Sequence, residues 1–293
     1  MIKSTIKHAL TAVALAASAV GSANAFVISA GIIKITIDNY DVGNVGYSAT
    51  TSTPCVNDPA ACDAASLGGT GVGSFDTAGI FAVALITNTS TGQTIFTKGT
   101  DGYLTGVFGG LLDQTVDTQC SIITGSCTTT ALSIGGFVNL YKNASDYNPA
   151  LGPNGAGVDL VTGLYPGITD NPANLWLSAV FATGAVLAGN ATTSYMSTYN
   201  TSSFAGAGQA FLDVTGGAAY DNFNTNKLTD ANGNKRDLFL DVTYNDANGA
   251  ASSLGWTVAS TGSVKGNAIP EPGALALIAL GLLGAGAATR RKA

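Results

Sequence analysis

The sequence predicts an all-β domain, a single antiparallel β-sandwich with a jelly roll among its possible forms, set between an N-terminal signal helix and a short C-terminal transmembrane helix. Three observations point there. Nine short runs rich in β-branched and aromatic residues, at 32–37, 80–87, 94–97, 104–108, 132–141, 175–181, 209–214, 238–244 and 255–259, are bounded by Gly, Asn, Asp, Ser and Pro clusters, the pattern of strands between turns. Helix caps followed by long stripes of 3.6-residue period are nearly missing. The roughly 240 residues between the terminal segments carry no proline-rich linker, so they read as one domain large enough for a real core.

At the N-terminus, Lys3 and Lys7 precede an uncharged run at 9–20 and then the small-x-small triplet Ala23-Asn24-Ala25. This is the layout of a secretory signal peptide spanning 1–25, cut after Ala25 so that the mature chain starts at Phe26.

The body, 26–267, is chemically narrow. The single histidine, His8, falls in the signal segment, and seven basic residues (Lys34, Lys98, Lys142, Lys227, Lys235, Arg236, Lys265) face 17 Asp for a net charge of −10. Without histidine, Ser-His-Asp and Cys-His catalysis and the usual His-based metal sites are excluded. Without a basic patch there is nothing to neutralise phosphates, so nucleic acid is not an expected partner. GGTGVG at 68–73 lacks the lysine and the strand-turn-helix setting of a phosphate loop. The scattered aspartates read as solvated loop carboxylates, and the expectation is a protein that is not an enzyme and holds no cofactor. An aspartate pair of the glycosidase kind is the rival reading, and spacing alone selects no such pair.

The strand at 238–244 alternates well, with Leu238, Leu240, Val242 and Tyr244 on one face and Phe239, Asp241 and Thr243 on the other. Trp176 and Trp256 fall in strand runs and are expected in the core. The stretch from 144 to 174 holds Pro149, Pro153, Pro166 and Pro172 and reads as a long irregular insertion. Cys55 and Cys62, like Cys120 and Cys127, are separated by six residues, which in an exported chain suggests two local disulfides among the three connectivities four cysteines allow. Asp230, Asn232, Asn234 and Asp241 partly imitate a calcium loop, but Lys235 stands where its glycine belongs. Asn232-Gly233 is equally the signal of a tight hairpin turn, which is the preferred reading. Hydroxyl- and amide-rich runs, with Tyr195 and Tyr199 expected to be exposed, suit hydrogen bonding and stacking with polysaccharide.

The C-terminal segment, 268–293, has three parts. Pro270-Glu271-Pro272 contains the chain's one glutamate; 17 uncharged residues follow at 273–289; Arg290, Arg291 and Lys292 close the segment. As a helix the apolar stretch would reach about 25 Å, a marginal span, and the basic cluster would stay on the cytoplasmic side of the inner membrane. The prolines hold the residues ahead of them extended and reachable. This three-part order resembles the PEP-CTERM sorting signal, and the resemblance implies recognition of the tripeptide by an exosortase-type membrane protease, with transient anchoring and delivery to the cell surface or matrix. The body from FLDVTGGAAYDNFNTN through DLFLDVTYND to GW also resembles the C-terminal half of flocculation-associated PEP-CTERM proteins. That second resemblance implies a part in flocculation, cell aggregation or biofilm through exopolysaccharide. A calcium-stabilised adhesion module is a further alternative.

Overall fold

The computed structural model describes residues 28, 30–42, 77–153, 165, 168, 171–200, 203, 205–246, 253–256 and 258–269. The expected signal segment, Cys55, Cys62, Asn248-Gly249 and the tail from Pro270 onward lie outside them. The first strand, β1 (Gly31–Val42), shows why the chain extends: Ile33, Ile35 and Ile37 are buried and alternate with Lys34, Thr36 and Asp38, the two-residue period of a strand with one apolar face. There follow β2 (Thr77–Asn88), β3 (Gln93–Thr97), β4 (Tyr103–Cys120), β5 (Cys127–Asn143), β6 (Leu175–Phe181), β7 (Tyr195–Asn200) and β8 (Ala205–Gly216). A helical turn α1 (Tyr220–Phe223), a small hairpin of β9 (Leu228–Thr229) and β10 (Lys235–Arg236), and the strands β11 (Leu238–Asp246) and β12 (Val258–Ala268) complete the described order.

Ten of these strands form one antiparallel sheet closed into a barrel-like ring. The order follows the chain from β1 to β2, then β3 and β4, β5, β6 and β7, β8, β11 and β12. β12 returns to β1, with Gly31 opposite Ala268 and Asp41 opposite Val258. One position in the ring is filled by two short strands. β6 pairs with the 137–141 end of β5 and β7 with its 128–133 end, and both lie against β8, so residues 182–194 are an excursion from one interrupted strand. Beside β2, β4 pairs with the 77–82 end and β3 with the 85–88 end, and of the two β4 goes on to pair with β5. The all-β antiparallel expectation is therefore met. The jelly-roll form needs Greek-key crossings, and the ring pairings run in chain order as a meander, so that form is corrected.

The interior is filled by aromatic rings laid over glycines. Phe81 faces Gly106, and Phe108 faces Gly79, across the β2–β4 pair. A Cβ at Gly79 would stand 2.7 Å from the Phe108 ring, and one at Gly106 2.7 Å from that of Phe81. Phe181 occupies the space over Gly136, Tyr195 that over Gly208, and Tyr244 that over Gly206. Each glycine removes the side chain that would otherwise collide with the ring, so a narrow barrel accepts large residues without strain. The face assignment of 238–244 holds, since Leu238, Leu240, Val242 and Tyr244 all turn inward. A second apolar cluster lies on the outer wall, where Trp256, Tyr165 and Ile168 cover Ala78, Ile80, Val107 and Tyr141. The insertion at 144–174 reaches it through Tyr165, and the Trp256 indole N–H donates to the carbonyl of Pro149 at 2.8 Å. Trp176 and Trp256 are both buried, as expected.

Several boundaries differ from the sequence expectation. β4 and β5 extend to 18 and 17 residues, beyond the expected runs at 104–108 and 132–141, and Gly110 and Gly135, both at φ +74°, carry the strands through a kink. β12 begins at Val258, not at Gly255. β7 lies in a hydroxyl-rich run outside the nine expected strands; its residues extend because β5 and β8 offer ladder partners on both sides. Past Leu111, where the β2 pairing stops, β4 continues against β5 as an arm whose end is joined by the Cys120–Cys127 disulfide, one of the two bridges expected.

Gly208→Ala tests the ring-over-glycine packing, since its Cβ would fall 1.8 Å from the Tyr195 hydroxyl oxygen. Urea unfolding is expected to show a loss of about 1–3 kcal/mol. The same substitution in a Tyr195→Ala background should cost much less, a coupling that additive behaviour of the two sites would exclude.

Candidate functional site: an acidic barrel mouth and a clamped tail

One end of the ring is closed. Trp176 meets Phe223 of α1 edge-on with centroids 5.7 Å apart, and Ile33, Ile86, Phe96 and Leu104 fill the space beside them. Toward the other end, where β1 ends and β2 begins, the interior stays hollow. The hollow has a volume of about 100 Å³. Its walls are apolar, with Phe81, Phe108, Leu140, Phe181 and Leu240 among them.

The mouth is polar. On β1, the Asn39 amide donates to a carboxylate oxygen of Asp41 at 3.0 Å, and the Ser260 hydroxyl of β12 donates to the Asn39 carbonyl oxygen. On β4, Asp113 accepts from the Ser133 hydroxyl of β5 at 2.7 Å. Burial pushes the Asp41 carboxyl up to about 7, against the opposing hydrogen bond from Asn39. Burial raises Asp113 as well, against that from Ser133. Tyr244 is raised to about 12, first by burial and then by Asp41 and Asp113 after the opposing Ser197 hydrogen bond. Tyr195 rises by burial with added repulsion from Tyr244, Asp41 and Asp113. Two carboxylates from different strands thus act on the same two tyrosines. Spacing in the sequence offered no such pair; β1 and β4 both pair with β2, one on each side. The expectation that Tyr195 is exposed is corrected: it lines the hollow, edge-on to Phe181 at 5.9 Å, and Tyr199 is half-buried.

The residues weighed for calcium are engaged as follows. Asp230 forms an ion pair with Arg236 at 2.8 Å and accepts from the backbone amides of Asn232 and Asn234. Burial acts to raise its carboxyl, but these partners hold it below the ordinary value. Arg236 also reaches Asp213 at 2.7 Å and the Thr183 carbonyl. Asn232-Gly233 forms the expected turn, with Gly233 at φ +85°, and the Asn232 amide donates to the carbonyls of Gly184, Leu187 and Asn190, clipping the 182–194 excursion to the hairpin. Asn234 sits in the same turn, and Asp241 lies on β11 between Gln209 and Ser263. Among the described residues, no group of three or more His, Cys, Asp or Glu is placed to hold a metal ion.

At the closed end the chain leaves the ring. β12 ends at Ala268, and Ile269 is held from both sides: its amide donates to the Asn222 carbonyl at 3.0 Å, and its carbonyl accepts from the Asn222 side chain at 2.9 Å. Asn222 is itself buried in α1. Beyond this clamp comes Pro270.

Residues 268–292 match the PEP-CTERM protein-sorting motif. The PEP-CTERM motif implies processing by an exosortase, a membrane protease, and supports an exported chain that is held transiently in the membrane before it reaches the surface. Pro270, Glu271 and Pro272 and the basic residues Arg290, Arg291 and Lys292 all fall within the match. No curated protein and no solved structure matches the chain.

The raised carboxyls of Asp41, Asp113 and Asp213, each lifted first by burial, set the direction of the pH dependence. A carboxyl whose folded value lies above its unfolded one keeps its proton longer in the native state, so stability is greatest below about pH 4 and falls as pH rises toward 7. Asp230, held low, acts in the opposite sense, and its contribution is lost only below about pH 4. Asp41→Asn is therefore expected to flatten the fall in urea stability between about pH 4.5 and 7.5, by an amount on the order of a few kcal/mol. An unchanged slope in the variant would place Asp41 in water.

Proposed function

We propose that this chain is an exported, exosortase-sorted surface or matrix protein that contributes to cell aggregation, flocculation or biofilm through exopolysaccharide. The observation that carries the reading is the contiguity of β12 with the sorting motif: Ala268 ends the strand that closes the ring, and the matched residues start there. A rigid body attached to its address without a spacer is suited to being released whole. The polymer-binding part of the proposal draws on the β4–β5 arm. Its side chains are largely hydroxyls and amides, with Ser126 and Thr128 linked to Asn200 of β7 and Gln119 to Asp117. Surfaces of this kind exchange hydrogen bonds with water for hydrogen bonds with sugar at little net cost.

A second reading is favoured by one observation, the Asp41 and Asp113 carboxyls at the mouth: an aspartate-dependent enzyme acting on carbohydrate. Release of reducing ends from the host's exopolysaccharide, lost in both Asp41→Asn and Asp113→Asn, would support it over the first.

Fractionation of host cells with and without the exosortase, with the C-terminal peptide mapped by mass spectrometry, tests the sorting. The expected result is cleavage near Pro270-Glu271-Pro272 and appearance of the body in the matrix only when the protease is present, with reduced clumping in a deletion strain. An intact tail in the inner membrane of both strains would overturn the reading.

A further inference from the structure

We propose that the closed end of the ring is a membrane-seating surface. While the tail is held in the bilayer, Lys34, Lys227 and Lys265 lie among the phosphates of anionic phospholipid headgroups, with Ile32, Tyr220 and Ile269 at the interface beside them. The inference rests on the transient anchoring that the sorting motif implies, and goes beyond it by saying which face of the body the membrane meets.

The tether is short. Ile269 is pinned to the body by Asn222, and Pro270, Glu271 and Pro272 alone separate it from the uncharged stretch at 273–289. Fully extended, the chain from 269 to 273 spans at most about 14 Å. The headgroup layer takes up roughly 6 Å of that on one side of the bilayer. What remains is about one Debye length at physiological salt, so the end of the ring that carries Ile269 stands within electrostatic reach of the lipid phosphates.

Charge is sorted along the ring in the sense this requires. All seven basic residues of the body lie toward that end, on the strand ends or in the connections that gather there. Lys98 is paired with Asp146, and Arg236 with Asp213 and Asp230, whereas Lys34, Lys227 and Lys265 enter no ion pair among the described residues. Asp101 and Asp221 are the exposed carboxylates described at that end. The other end carries Asp41, Asp113, Asp117 and Asp246 on its strands and no basic residue of the body. The body's net charge of −10 opposes approach to an anionic surface as a whole, so within the reach of the tether this end is the one that can approach.

The lysines are not explained by the fold. Lys34 stands directly opposite Lys265 across the closing β1–β12 pair, where like charges destabilise a sheet. A layer of phosphates removes that repulsion. Ile32 shares the outer face of β1 with Lys34, and Ile32, Ile269 and Tyr220 are left 51, 47 and 36 % exposed. Lysine stems lying along apolar side chains, with their ammonium groups in a polar layer, suit the edge of a bilayer. Ile122 and Ile123 are exposed as well, but they sit at the tip of the arm on the opposite end, and the tether turns them away from the membrane.

The test reconstitutes the mature chain, tail included, into phosphatidylcholine vesicles with and without one-third phosphatidylglycerol. Acetylation of each lysine by a membrane-impermeant reagent is then read by mass spectrometry. Lys235, on the hairpin clipped to the 182–194 excursion, serves as the internal reference. With anionic lipid, labelling of Lys34, Lys227 and Lys265 is expected to slow at least about fivefold relative to Lys235. That protection should vanish at about 1 M salt, where the Debye length falls to about 3 Å. Lys34→Gln combined with Lys265→Gln relieves the like-charge pair, so the variant should fold at least as well, and it should lose much of the protection at Lys227. Flotation with the vesicles separates this proposal from the reading it rests on. A chain that floats while its lysines label equally with both lipids, or stay protected at high salt, overturns the seating and leaves the anchoring standing. A chain that does not float overturns both.

Discussion

The closing pair, β1 against β12, is the constraint on which the rest depends. Residues 31–41 meet 258–268 in unbroken antiparallel register, joining the beginning of the described body to its end. An open meander of these strands would expose two ladder edges and one apolar face to water. Closure satisfies both edges and turns that face into an interior. It is a pairing of large sequence separation, so the loop entropy of the whole body opposes it and the apolar burial it completes must outweigh that cost. The register even tolerates Lys34 directly opposite Lys265, a like-charge pair that disfavours it locally.

From closure follow both the hollow and the exit of the tail. Asp41 of β1 and Asp113 of β4 both act on Tyr195 and Tyr244, and burial lifts their carboxyls. At the opposite end, α1 seats Trp176 and Phe223 and presents Asn222 to Ile269. The strand that closes the ring therefore ends where the PEP-CTERM match begins, and Asn222 holds Ile269 within that match.

Much of this was legible in the sequence where chemistry is local. The alternation of Leu238, Leu240, Val242 and Tyr244 fixed an inward face, Asn232-Gly233 fixed a turn, and Pro270-Glu271-Pro272 with its apolar and basic followers fixed the address. What failed was non-local. Gly110, just past the expected strand at 104–108, looks like a strand breaker until the length of the β4–β5 pair is known. Tyr195, in a run of hydroxyl residues, looks exposed until Gly208 is placed beneath it. Arg236 looks like a surface charge in a turn, yet it joins Asp213 of β8 to Asp230 of the hairpin. The carboxyl pair at the mouth is separated by more than seventy positions in the chain, and no spacing rule reaches that far.

Native-state hydrogen exchange tests closure most directly. In an antiparallel strand successive amides turn to opposite neighbours, so a closed ring protects every interior amide of β1 and β12, while an open sheet leaves every second one to solvent. The account predicts that amides at 33–40 and 259–267 exchange as slowly as those at 104–108 and 137–141. Rapid exchange of alternate amides in β1 and β12, with β4 and β5 still protected, would mean that the ring is open and would contradict it.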